Sequence, residues 1–351
     1  MHISFFPLLF ALLCFSCSPK TATVAKAAEK APRQTSTAPA VPAEPAEVPA
    51  PAASAPSAPI RAGLVPGVND TSLLWKISTP GIAQPSYLFG TIHLIPENDY
   101  FLPNKVIAAM NDTEEVIFEI DPRDMQNPAK LMGLMTKINM RGDTSLEDLL
   151  PAEQYAEVEA YFTESGLPFF IFKKMKPLFL SAMVGQDMAA MADGGGMDGG
   201  GMKSYELELT KLAEAGSKEI GGLESMEFQL SLFDSIPYRA QAMMLYQAVE
   251  SDQAGGTGDS PNEMDELVAL YRRQAVAEMA STISKESEGV SRFEELLLTK
   301  RNENWVPQIR ENINAADAGG KFYAVGAGHL GGARGVIALL RGAGITVEPI
   351  Y

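Results

Sequence analysis

Strand-like runs stand at both ends of the apolar part of this chain with mostly helical sequence between them, so a sheet can be completed only by the C-terminus. At the front are Leu73-Leu-Trp-Lys-Ile-Ser78 and Ser86-Tyr-Leu-Phe-Gly-Thr-Ile92. The Pro80-Gly81 turn signal between them predicts a hairpin. A helix is expected after Pro103, followed by a buried strand at Glu115-Val-Ile-Phe-Glu-Ile-Asp121. Residues 146–251 read as mostly helical, broken at Pro151, Pro168, Pro177, the loop 193–202 and Pro237, with one short strand candidate at Glu219-Ile-Gly-Gly-Leu-Glu224. A polar, Gly-rich loop at 252–262 leads into more helices up to about Ala318. The chain closes with a strand at Lys321–Gly326, a helix over 332–342 and a strand at Ile345–Ile350. In that helix Val336, Ile337, Leu339 and Leu340 supply an apolar face, and Gly342 and Gly344 stop it. The expected fold is α/β: a mixed central sheet with flanking helices and a helical insertion at about 146–251.

Not all 351 residues belong to that domain. The apolar stretch 4–17 is too short, and wrongly flanked, for a membrane-spanning helix. Residues 1–17 read instead as a signal peptide whose n-region is poor, with His2 as its only potentially basic side chain. Leu13-Cys-Phe-Ser-Cys17 has the small residue before Cys that lipoprotein processing favours, with Cys14 a loose match where Leu is usual. Cys17 is therefore the expected lipidation site, plain cleavage and secretion being the alternative. Residues 18–63 are Ala- and Pro-rich, nearly free of large apolar side chains, and read as a disordered, extended tether. The expected setting is the cell envelope: an exported lipoprotein, periplasm-facing or on the outer membrane, attached through its lipid. Residues 64–351 then form the domain. They carry 23 Lys and Arg against 41 Asp and Glu, a formal charge of −18, which argues against nucleic acid as a partner. Both cysteines lie before residue 18, so this domain has neither disulfides nor thiolate zinc sites.

Histidine is informative because it is scarce. Only His93 and His329 follow the signal peptide, and both occur as Gly-x-x-His, in Gly90-Thr-Ile-His93 and Gly326-Ala-Gly-His329. Each stands where a strand ends and a loop begins, the place where α/β sheets bind ligands. Gly90 and Gly326 allow close backbone approach beside each imidazole. Glu119 lies inside Val-Ile-Phe-Glu-Ile; buried there it needs a metal, an Arg or a hydrogen-bond network, and on an edge strand it would face water. Asp121 reads as the cap of the following turn. Glu224 ends a strand candidate, and Arg301 falls in the polar run Lys-Arg-Asn-Glu-Asn-Trp305, between one helix and another starting near Asn304. Gly326-Ala-Gly-His-Leu-Gly331 matches a dinucleotide-binding fingerprint, but the chain ends too soon for the remaining strands and the His would crowd a pyrophosphate. The Met- and Gly-rich run around 183–202 reads as core packing and loop rather than as a soft-metal site.

Five segments in order carry a resemblance: Tyr-Leu-Phe-Gly-Thr-Ile-His93-Leu, Val-Ile-Phe-Glu119-Ile-Asp, Gly-Leu-Glu224-Ser-x-Glu227-Phe-Gln229, Arg301-Asn302-x-x-Trp305, and Phe-Tyr-Ala-Val-Gly-Ala-Gly-His329-Leu. Over roughly residues 72–350 the chain resembles the TraB/GumN family, which takes in Tiki-like proteases and pheromone-shutdown TraB-like proteins. The resemblance implies a fold distantly similar to erythromycin esterases and to a haem-binding lipoprotein group. It implies a site of His93, Glu119, Arg301 and His329, supported by Gly90, Glu224, Asn302 and Gly326, and, through its Tiki-like members alone, metal-dependent proteolysis favouring manganese or cobalt. One departure stands out. Such proteins usually carry Gly-apolar-Asp at the opening of a helix before the Gly-Leu-Glu strand, and here Gly201-Met202 is followed by Lys203, with Glu206 three residues on.

Three functions fit these residues. In a metal-assisted peptidase or amidase, His93, Glu119 and His329 would hold zinc, manganese or cobalt, and Arg301 would bind an oxyanion or a substrate carboxylate. In a metal-free, esterase-like hydrolase His93 would be the base, oriented by Glu119, with Arg301 and His329 stabilising charge. In a surface lipoprotein without turnover the two histidines would hold haem, metal or a peptide. The residue types do not separate these readings.

Overall fold

In the computed structural model the described residues are 63–166, 168–181, 183–185, 201–254, 261–286, 294–315 and 319–351. The signal peptide, Cys17, nearly all of the tether and most of the Met- and Gly-rich run lie outside them. Eight strands are described: β1 (Leu74–Ser78), β2 (Ser86–Thr91), β3 (Leu94–Pro96), β4 (Glu115–Ile120), β5 (Met202–Ser204), β6 (Glu219–Glu224), β7 (Lys321–Gly326) and β8 (Thr346–Pro349). Six of them form one sheet in the order β6-β4-β7-β2-β1-β8. The first four of that order run parallel, and β1 pairs antiparallel with both β2 and β8. The hairpin expected at 73–92 is thus β1–β2, and the C-terminal strand completes the sheet at its far edge.

β4 and β7 lie inside the sheet and read as unbroken apolar runs, each with four consecutive buried residues, because helices cover both faces of parallel strands. That placement decides Glu119. It stands in an interior strand and is buried, not on a solvated edge.

The described α-helices of seven residues or more are α1 (Asn104–Asn111), α2 (Pro128–Ile138), α3 (Ala152–Glu164), α4 (Tyr205–Ala215), α5 (Met226–Leu232), α6 (Tyr238–Gln253), α7 (Pro261–Arg272), α8 (Val276–Glu286), α9 (Lys300–Asn314) and α10 (Val336–Gly342). The main core joins the sheet to α1 through Val106 and Met110, α4 through Leu209, α9 through Trp305 and Ile309, and α10 through Ile337 and Leu340. Asp121 caps the turn after β4 by accepting from Arg123 N, and Gly344, at φ +84°, turns the chain out of α10.

The span 146–251, expected as a helical insertion, divides in two. α3 and α6 share a core of their own, with Val158, Phe162, Leu245 and Val249. Between them in sequence, β6 joins the main sheet, β5 pairs with β3 in a small ribbon, and α4 packs on the main core. β6 is the strand expected at 219–224, whereas β5 was not expected, because three residues are too few to show a period.

Arg301 also differs from its sequence reading. It lies inside a helix: a π-helical turn, Glu295–Thr299, runs straight into α9. Residues 300–304 look like a linker because Arg301 and Asn302 are polar, yet both are buried.

Candidate functional site

β2, β4, β6 and β7 point the same way, so their carboxyl ends share one edge of the sheet. β2 ends two residues before His93, Glu119 is the penultimate residue of β4, Glu224 is the last of β6, and β7 ends three residues before His329. The parallel topology alone therefore gathers four side chains that lie up to 236 residues apart in sequence. From above them, α9 contributes Arg301, Asn302 and Trp305.

Arg301 is the hub. Its Nη2 donates to Glu119 Oε2, its Nε to Glu224 Oε1 at 2.7 Å, and its Nη1 to the Leu297 carbonyl at 3.0 Å. Nη1 also lies 3.1 Å from His329 Nε2. A guanidinium only donates, so His329 Nε2 accepts, and the ring proton sits on Nδ1. Nδ1 in turn donates to Asn302 Oδ1 at 2.6 Å, and the Asn302 amide is oriented by its bond to the Arg334 carbonyl at 2.9 Å. Burial, together with the Arg301 charge, pushes His329 down to about 3, although Glu119 works the other way. His329 is a neutral imidazole. Trp305 lies against it, ring centroids 4.5 Å apart, and donates its indole N–H to Glu224 Oε2 at 2.9 Å.

Glu119 is ionised against its burial, because Arg301, the two imidazoles and the Gly326 N–H, 2.7 Å from Oε1, hold it well below the usual carboxylate range. Burial raises Glu224 instead, and Arg301 offsets this only in part.

His93 is the opposite of His329. Its side chain is 28% exposed, and its Nδ1 lies 3.1 Å from Glu206 Oε1. Burial disfavours the imidazolium, but Glu206, by charge and hydrogen bond, and Glu119 outweigh it and push His93 up to about 9. Glu206 is held by the Thr91 hydroxyl at 2.8 Å and the Ser204 hydroxyl at 3.1 Å, and the His93 charge keeps it low. The pairing of β3 with β5 explains how it arrives. Leu94 stands opposite Ser204, so antiparallel register carries Tyr205-Glu206 alongside His93. The orienting carboxylate of His93 is thus Glu206, not Glu119 as the metal-free sequence reading had it. The sequence singles out Glu206 only as the acid that follows the Gly201-Met202-Lys203 departure and not as a partner of His93, since an acid in the first turn of a helix is already favoured by the helix dipole.

The two glycines differ. A Cβ at Gly326 would lie 3.2 Å from Glu119 Oε1, 3.5 Å from His329 Cδ2 and 3.8 Å from His93 Nε2, so this residue faces the point where all three converge. A Cβ at Gly90 would meet Ala327 and Leu330 at 3.0–3.1 Å, so Gly90 serves the packing of β2 against the turn that carries His329.

The model of the TraB/PrgY/gumN family matches residues 73–349, essentially the whole sheet from β1 to β8. The chain belongs to this family. A Danio rerio protein, Metalloprotease TIKI2, is similar to this TraB/PrgY/gumN member at 29% identity over 103 residues, which is 28% of this chain and 19% of that protein. The chain therefore matches about a fifth of the length of that relative. No solved structure matches it.

The donor chemistry of the TraB/PrgY/gumN site bears on the metal expected at His93, Glu119 and His329. Among the described residues no group of three or more His, Cys, Asp or Glu side chains is arranged to hold a metal ion. Of the three expected ligands, His329 Nε2 accepts from Arg301 and both Glu119 oxygens accept N–H donors. A permanent cation, Arg301, is already bonded to two of them, Glu119 and His329. The arrangement does not fit a cation at that triad, and no chemical step is derived through one.

Proposed function

We propose that this chain is a hydrolase of peptide or amide bonds in which His93 moves the proton. The His93–Glu206 pair carries the proposal: with Nδ1 held on Glu206, Nε2 is left facing the convergence point beside Gly326. In its neutral form His93 Nε2 takes a proton from a water molecule as that water attacks the carbonyl. Glu206 keeps the Nδ1–H and stabilises the imidazolium, which then protonates the leaving amine. Arg301 acts as scaffold, because its three nitrogens are already engaged with Glu119, Glu224, Leu297 and His329.

The printed name of the Danio rerio relative favours a second, metal-assisted reading, in which a cation would be taken up at His93 Nε2, which has no hydrogen-bond partner among the described residues. Substrate is expected to reach the protein outside the cell, where Cys17 and the 18–63 segment would tether it; intact-mass detection of acylated Cys17 tests that placement.

The deciding experiment assays quenched fluorescent casein and an aryl ester with the wild type and His93→Ala, each with chelator and with added Mn, Co or Zn. Casein cleavage that survives chelator and disappears in His93→Ala supports the proposal. Cleavage restored only by metal favours the second reading, and no cleavage under any condition sinks both.

A further inference from the structure

Gln229 is the buried polar side chain at this site that the proton-transfer chemistry leaves unused. It lies in α5, which Ser225 caps immediately after β6, so it stands just five residues beyond Glu224. It is 2% exposed. Its Nε2 donates to Glu224 Oε1 at 2.6 Å and lies 3.5 Å from Glu119 Oε2. These are the same two oxygens that receive Arg301 Nε and Nη2. Gln229 Oε1 is buried and has no hydrogen-bond partner among the described residues. The amide therefore sits against the interest of its own acceptor. Turned over, it would set Oε1 against two carboxylate oxygens, and that repulsion fixes its orientation.

We propose that Gln229 is a positioning residue: by bridging Glu119 Oε2 and Glu224 Oε1 beside Arg301, it turns Glu119 Oε1 toward Gly326, His329 and His93. A guanidinium alone can hold two carboxylates while each still rotates about it. A second donor shared between the same two oxygens closes a ring of four side chains, Glu119, Arg301, Glu224 and Gln229, and removes that freedom. An apolar filler would pack the space without the unpaired oxygen. The hydrolytic reading gives this arrangement its purpose, and the first measurement needs no substrate, so either idea can fail alone.

The test uses the full chain labelled with 15N-histidine and compares wild type, Gln229→Leu and Gln229→Glu at one pH. Leucine removes the donor at similar volume, and glutamate replaces the donor with a third carboxylate. Unchanged far-UV circular dichroism with displaced or broadened His329 ring-nitrogen resonances in both variants is the expected result. Casein turnover should fall about 10–100-fold in kcat at similar KM. Unaltered histidine spectra in both variants overturn the proposal. Moved spectra with no turnover in the wild type leave it standing and count against the hydrolase reading instead. Should Gln229→Leu not fold, Gln229→Met makes the same comparison with a more adaptable side chain.

Discussion

Two imidazoles in one small site are held in opposite protonation states by what touches them. His93 has a carboxylate on Nδ1, and His329 has a guanidinium on Nε2. Glu206→Gln removes the charge that sustains the His93 imidazolium, so its titration should fall from about 9 toward the ordinary value near 6.5. Histidine NMR titration measures this directly; a His93 that still titrates near 9 in that variant would show that Glu119 or another group is responsible. Catalysis should follow. With His93 as base, kcat/KM in the wild type rises with pH and levels off near 9, and in Glu206→Gln the plateau begins nearer neutrality. Arg301 poses the reverse problem. Arg301→Met strands Glu119 and Glu224 in a buried site without their cation, at a cost of about 3–5 kcal/mol in urea unfolding. A loss under 1 kcal/mol would mean that water already screens the pair.

Where two strands end, two glycines of the same motif do different work, and substitution separates them. Gly326 has φ −54° and ψ 135°, a conformation open to alanine, and its N–H to Glu119 survives the change. The added methyl enters the space between Glu119, His329 and His93. Gly326→Ala should therefore keep its thermal midpoint within a few degrees and lose about 100-fold in activity. Gly90→Ala presses on Ala327 and Leu330 and should cost about 1–3 kcal/mol of stability. Equal stability losses in the two variants would refute the distinction. The same elements show what was legible in the sequence. The strand-end histidines stood out because only two were present, and Glu119 because a charge interrupted an apolar run. That one sheet joins them followed from strands at both ends of the chain, but not that four of its strands run parallel. Arg301 was set in a linker because the buried face of α9 is polar where it meets the site. Glu206 was invisible as a partner because it reaches His93 through a three-residue ribbon from 113 residues away. Gln229 and Trp305 were read as motif letters only; their roles depend on the carboxylates they share.

For the molecule as a whole, the two histidines tie stability to pH from opposite sides. His329 titrates near 3 in the folded chain and near 6.5 when unfolded. As pH falls from 6.5 toward 3 the unfolded chain takes up a proton that the native chain refuses, and stability is lost. Glu119, held low, adds to the same acid limb below its unfolded value near 4.5. His93 does the opposite. Its folded value near 9 lies above the unfolded 6.5, so its contribution is complete below pH 6.5 and is lost as pH rises through 9. That contribution is on the order of 3 kcal/mol, and the 28% exposure of the ring makes it an upper figure. The midpoint of thermal unfolding should therefore peak near pH 6–7 and decline on both sides. His93→Gln should lower it at pH 6 while leaving it nearly unchanged at pH 10, flattening the alkaline limb. His329→Gln should flatten the acid limb between 6.5 and 3 and leave the alkaline limb in place. Calorimetric scans from pH 4 to 10 on the three proteins decide the matter. If His93→Gln leaves the alkaline limb as steep as in the wild type, the decline comes from the overall charge of this acidic domain, −18 over residues 64–351, and the His93–Glu206 pair is not the stabilising contact that its geometry implies.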